Sequence, residues 1–158
     1  MIILATGLAV AALAHAQAAI AEAIDDENDA VIEATIRKDI DGYMASVPVD
    51  YRIVEDDGSI TDRASLREKQ LEAWSLITRT NSLEVTVDRV EVGCDEQCAT
   101  VWTSQRWDRQ MLGRDGATEF NVVTTQAHRE QWQVRDGRWW QLSIEELGGT
   151  IRVDGKSY

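Results

Sequence analysis

The residues best placed to do chemistry lie in TTQAHREQW, positions 124 to 132. In a strand, alternate side chains share a face, so Thr124, Gln126, His128, Glu130 and Trp132 look the same way and continue the apolar run of Phe120 and Val122. An inward stripe that turns polar halfway has two explanations. Either the strand leaves the core there, or the core is hollow and its polar groups meet a ligand or water. A buried polar group without a partner costs about 1–3 kcal/mol, so the second explanation demands partners for Gln126 and His128. A filled core, with His128 bonded to Tyr43 or to a backbone carbonyl, is the alternative. The other chemically distinctive pair is Cys94 and Cys98, the only cysteines. Three intervening residues between strands suit a disulfide across a hairpin turn. Two thiolates with no further ligands nearby do not make a closed zinc site, so no metal is expected. The spacing also differs from the two-residue gap of thioredoxin-like redox pairs.

Positioning these groups requires a scaffold, and the periodicity supplies one. From Asp25 to Val47, Ile32, Ile36, Ile40, Tyr43 and Val47 recur at steps of four and three, which predicts a buried helical face. Gly42 argues for a break near residues 38–41, with Asp39 capping a second helix. Pro48 closes the region. VDYRIVEDDGSIT predicts a short hairpin turning at Asp57-Gly58, and Thr61 or Asp62 can cap a third helix, in which Leu66, Leu71, Trp74 and Ile77 share a side. Four long strands follow. The first shifts phase between Val87 and Val90, which predicts a bulge near Asp88-Arg89, and Asp136-Gly137 turns the third strand into the fourth. The order predicts an α+β domain, a curved antiparallel sheet of four long strands packed against N-terminal helices, plus the short hairpin.

A chain of 158 residues suits one domain. Its 28 acidic against 16 basic side chains give a formal charge of −12, which repels phosphate backbones and makes nucleic acid an unfavourable partner. The start, MIILATGLAVAALAHAQAA, has an apolar run followed by Ala14-His15-Ala16, a small-x-small pattern. Residues 1–16 are therefore expected to be a signal peptide and the protein to be exported, periplasmic or extracellular. An attached Ala-rich helix or a membrane anchor is the alternative, although the run falls short of the ~20 residues that span a bilayer. The mature chain is expected to hold no stable membrane span. Residues 17–147 then form the domain and 148–158 a C-terminal tail. No phosphate loop or nucleophile elbow is present, and no cofactor is expected.

The acidic hairpin running directly into a helix, DYRIVEDDGSITDRASLRE, and the closing Trp-rich hairpin, WQVRDGRWWQLS, resemble the nuclear transport factor two-like superfamily, which includes ketosteroid isomerases and SnoaL-type cyclases. The resemblance spans roughly residues 29–147. It implies a cone-shaped sheet whose mouth is closed by helices, with a hydrophobic pocket for a small hydrophobic or amphipathic molecule. On that scaffold Tyr43, Trp107, Gln126, His128, Trp132 and Trp140 would line the pocket, and Trp102 and Trp139 would lie outside. The isomerase pattern implies a carboxylate base, Glu55 or Asp56, and oxyanion donors, Tyr43 with His128; the acid such enzymes place on the third long strand is replaced by His128. Fold does not determine function, so a binding domain of unassigned activity is the first expectation and an isomerase- or cyclase-like enzyme the alternative. Large aromatic groups on the outer sheet face make that face a candidate for pairing with a second copy.

Overall fold

The computed structural model describes residues 4–55 and 57–157, with side chains described from residue 14 onward. Helix α1 (Leu4–Arg37) is one unbroken element, so the apolar start and the expected first helix are continuous. It ends where Lys38 takes a left-handed φ of 56°. Asp39 then caps α2 (Ile40–Ala45), its carboxylate accepting from the Gly42 N–H at 2.9 Å. A Cβ at Gly42 would fall 2.6 Å from Asp39 Oδ2, so a larger residue there would shift the capping carboxylate. The break lies before Gly42 rather than at it.

The predicted hairpin forms from β1 (Arg52–Val54) and β2 (Ile60–Asp62), with Gly58 at φ 81° in its turn. Asp62 caps α3 (Arg63–Leu76) by accepting from Ser65 N–H at 2.9 Å. Leu66 and Trp74 face inward, whereas Leu71 stays exposed. Ile77 has already turned into the next strand, which gives the chain an abrupt helix-to-strand corner.

Four long strands follow: β3 (Ile77–Gly93), β4 (Cys98–Leu112), β5 (Glu119–Arg135) and β6 (Arg138–Val153). Sheet order is β2-β1-β6-β5-β4-β3; β1 lies parallel to β6 and the other pairings are antiparallel. The register of β3 shifts between Val87 and Arg89, at the expected bulge. Cys94 and Cys98 are joined across the β3–β4 turn, with Cα atoms 5.3 Å apart. The mixed α+β architecture, a curved open sheet covered by N-terminal helices, matches the sequence expectation.

Residues 148–153 are strand rather than tail. They extend β6 against Val122–Ala127, and a further turn leads into β7 (Lys156–Ser157). The Gly148-Gly149 pair reads as a terminator, yet it serves the sheet: a Cβ at Gly149 would sit 2.1 Å from the Thr125 carbonyl oxygen, so only glycine admits that approach.

Two apolar clusters bracket the interior. Ile20 and Ile24 of α1 pack on Val90, Ala99, Val101 and Trp132 at one end of the sheet. Met44, Val47, Tyr51 and Leu66 form the other cluster beneath α2 and α3. Fully burying an aliphatic side chain contributes about 1.5–3 kcal/mol, so Ile20 and Ile24 alone anchor α1 strongly. Space remains between the clusters.

Candidate functional site

That space is a cavity of about 230 Å³, below the ~300–1,000 Å³ common for drug-sized ligands but large enough for a small molecule. Strand β5 supplies the wall expected of it: Gln126, His128, Glu130 and Trp132 all line the cavity. Helix α1 contributes Glu27, Asn28, Val31, Ile32 and Thr35, and α2 contributes Tyr43. The polar half of the stripe thus faces an interior gap, with Thr124, His128, Glu130 and Trp132 all buried.

Most of these polar groups have partners within the protein. Glu130, 3% exposed, accepts from Thr103 Oγ1 at 2.6 Å and from Trp132 Nε1 at 2.7 Å. Gln126 Nε2 donates to Glu146 at 3.0 Å, and Tyr51 donates its phenol proton to Gln141 at 3.2 Å. Glu27 is held bidentately by Arg138, whose Nε lies 2.8 and 2.9 Å from its two oxygens. Several cavity groups differ. Among the described residues, no side chain or backbone group hydrogen-bonds the His128 ring, the Tyr43 hydroxyl or Asn28 Nδ2, and the last is fully buried.

Burial sets the electrostatics. It holds His128 below its ordinary pKa, outweighing the opposite pull of the Glu130 carboxylate, so the imidazole is neutral at pH 7. Burial also pushes Tyr43 up to about 12. Tyr51 is raised well above the usual phenol range, first by burial and then by Tyr43, Glu130 and Glu55. Both tyrosines are therefore proton donors rather than phenolates.

The remaining candidates fall elsewhere. Glu55 is not on the cavity wall; it accepts from Thr61 Oγ1 at 2.7 Å and pairs with Lys69 at 3.4 Å near the surface. Asp56 lies outside the described residues. Trp107 lines the cavity, but Trp140 does not, and Trp139 takes its place. The cause is a register shift: Gln131 pairs with Ser143 but Trp132 pairs with Gln141, so Leu142 is an extra residue in β6 and the facing inverts beyond it. Trp140 instead carries the Arg138 guanidinium 4.5 Å from its ring centre, in a separate pocket beside Met44, Val47 and Pro48. Trp102 is stacked likewise by Arg89 at 4.4 Å.

Sequence reasoning missed Glu130, Asn28, Tyr51, Gln141 and Trp139. Glu130 had a visible signal, being the next inward position after His128. It places a carboxylate on the third long strand, facing the cavity. Asn28 had none, because a helix face rich in acids gives no sign of which residue looks inward. Among the described residues, no group of three His, Cys, Asp or Glu side chains is arranged to hold a metal ion. No helix there is long and apolar enough to cross a membrane.

No protein-family model matches the sequence, and no curated protein matches it. Solved structures do share its fold. A hexachlorocyclohexane dehydrochlorinase (LinA) of type 2 superposes with a TM-score of 0.68 at 11% identity, covering 85% of this chain and 89% of that one. A scytalone dehydratase-like protein from Novosphingobium aromaticivorans gives 0.67 at 12% identity over 84% and 82%. A nuclear transport factor two-like protein of unknown function from Shewanella oneidensis gives 0.58 at 16% identity over 79% and 96%. The fold is therefore nuclear transport factor two-like, and at these identities the likeness concerns fold alone.

Proposed function

We propose that the cone is a binding site for a small hydrophobic or amphipathic molecule, in a protein that is exported to the periplasm or the extracellular space. One observation carries this reading: a cavity with aromatic walls holds Asn28, Tyr43 and His128, polar groups that find no hydrogen-bond partner among the described residues, the Asn28 amide nitrogen being fully buried. An unpaired buried polar group such as the Asn28 amide costs about 1–3 kcal/mol, and a ligand or water must offset that cost. Native mass spectrometry of the purified chain tests it. A co-purifying small molecule, or quenching of the cavity tryptophans by a panel of small apolar oxygenated compounds, is the expected result. An invariably empty chain whose fluorescence no compound alters would overturn the proposal. The outer sheet face, with Trp102, is the proposed surface for a homodimer.

A second reading is favoured by one particular feature, the Glu130 carboxylate sharing a cavity with neutral His128 and Tyr43. In it the protein is an isomerase- or cyclase-like enzyme. Glu130, in place of Glu55, removes a proton from carbon beside a carbonyl. Tyr43 O–H and a His128 N–H then stabilise the oxygen that gains charge. The dehydratase and dehydrochlorinase names of two fold neighbours denote eliminations, which also require proton loss. Deuterium exchange at the α-carbon of small cyclic ketones tests this. Glu130→Gln should abolish exchange and Tyr43→Phe should slow it ten- to hundredfold, by roughly 1.4–2.8 kcal/mol. Exchange that survives Glu130→Gln would remove the carboxylate from the mechanism.

A further inference from the structure

Of the six tryptophans, three already carry a cation. Arg89 stacks on Trp102, Arg109 on Trp107 and Arg138 on Trp140, at 4.4, 4.3 and 4.5 Å from the ring centres. Trp74 meets Tyr43 edge to face. Trp132 and Trp139, the two that remain, both line the cavity, and among the described residues neither has a cation on its face. Tyr43 and Tyr51 complete an aromatic lining.

The charges around those rings are one-sided. The lining contains Glu27, Glu130 and Glu146 but no Lys or Arg. Glu27 is neutralised by Arg138. Glu130 is buried and, among the described residues, makes no ion pair; its two oxygens accept from the neutral Thr103 hydroxyl and Trp132 indole. A buried carboxylate without a counter-charge is costly to the protein and attractive to a cation. His128 adds an independent sign of a ligand. It is 8% exposed, lines the cavity and makes no hydrogen bond through either ring nitrogen among the described residues. A neutral imidazole there can accept a hydrogen bond from a ligand N–H or O–H.

We infer that the cavity selects an organic ammonium cation, its charged nitrogen set among Trp132, Trp139 and Tyr51 near Glu130 and its own N–H or hydroxyl donated to His128. This rests on the cavity being a small-molecule site and deepens that reading by naming the ligand class. Aromatic faces attract cations electrostatically, and the attraction strengthens where water is excluded. The formal charge of −12 acts in the same direction at longer range, drawing cations towards the protein.

Choline and 3,3-dimethylbutan-1-ol have the same shape and the same hydroxyl and differ in charge, so the pair isolates the inference. Isothermal titration of the full chain should give choline at least tenfold tighter binding than the neutral isostere. Glu130→Gln should weaken choline tenfold or more and leave the isostere within twofold. Should that variant fail to fold, Trp139→Leu provides the same comparison, with a larger loss for choline than for the isostere. Equal binding of both compounds, or tighter binding of the alcohol, overturns the cation and leaves the cavity as a neutral site. Binding of neither overturns the cation as well, and failure of the mass-spectrometric and fluorescence tests alongside it would remove the small-molecule reading too.

Discussion

Trp132 donates its indole N–H to Glu130, two residues earlier on the same strand, across 2.7 Å. The pair shares one face of β5, and Thr103 on β4 completes the grip from the neighbouring strand. Thr103→Val keeps the shape and removes the hydroxyl. Leaving a buried carboxylate short of a donor should cost about 1–3 kcal/mol in urea unfolding. Adding Glu130→Met should return part of that loss, because the unsatisfied acceptor is then gone. A Thr103→Val change below about 0.5 kcal/mol would show that the carboxylate does not depend on this donor.

His128 gives a pH prediction of definite sign. Burial lowers its folded pKa, so the folded state binds a proton less readily than the unfolded chain, whose imidazole titrates near 6.5. Stability tied to this residue is complete above that value and is lost as pH falls through the folded pKa. A His128→Gln variant should flatten that acidic slope. Proton NMR titration checks the premise directly: a His128 midpoint at or above 6.5 would contradict it.

Much of this was legible before the structure because the signals were local. The break at 38–39, the Asp39 and Asp62 caps and the phase shift near Asp88 follow from neighbouring residues and appear where expected. What failed was long-range register. Leu142 is indistinguishable from an ordinary outward leucine in the sequence, yet as an extra residue it turns Trp139 in and Trp140 out. Gly148-Gly149 looks like an ending, and only the closeness of the Thr125 carbonyl reveals a continuing strand. Glu130 stood on the inward stripe without a role, because Thr103, the donor on the neighbouring strand that joins Trp132 in making its burial tolerable, is distant in sequence.

Helix α1 should divide sharply into dispensable and essential parts. Ala14 and His15 are exposed, whereas Gln17 donates to the Val90 carbonyl at 3.0 Å and Ile24 is fully buried. Removing residues 1–16 should leave the melting temperature within a degree or two, because the truncated chain keeps Gln17, Ile20 and Ile24, through which α1 meets the sheet. Ile24→Ala should cost about 2–5 kcal/mol through lost burial and a residual cavity. Differential scanning calorimetry of the two proteins distinguishes these outcomes. A truncated chain that melts as early as Ile24→Ala would mean that the first sixteen residues pack on the domain.

The β3–β4 turn stores backbone strain that can be relieved. Cys94, Asp95 and Glu96 have φ values of 51°, 50° and 65°, three successive non-glycine residues in the left-handed region. Each such residue costs roughly 1–2 kcal/mol relative to right-handed backbone. The Cys94–Cys98 bond holds this turn closed, and Val134 N–H reaches the Gln97 carbonyl at 2.9 Å beside it. Glycine tolerates positive φ without the Cβ clash, at the expense of a floppier unfolded chain worth about 0.4–1 kcal/mol. Glu96→Gly should therefore stabilise the oxidised protein by up to about 1 kcal/mol, a rise of roughly 2–4 °C for a domain of this size. The same substitution should help less after reduction, since the freed turn can relax by itself. Thermal melts with and without reductant measure both effects, and a variant that melts lower than the parent when oxidised would show that the left-handed turn is not a source of strain.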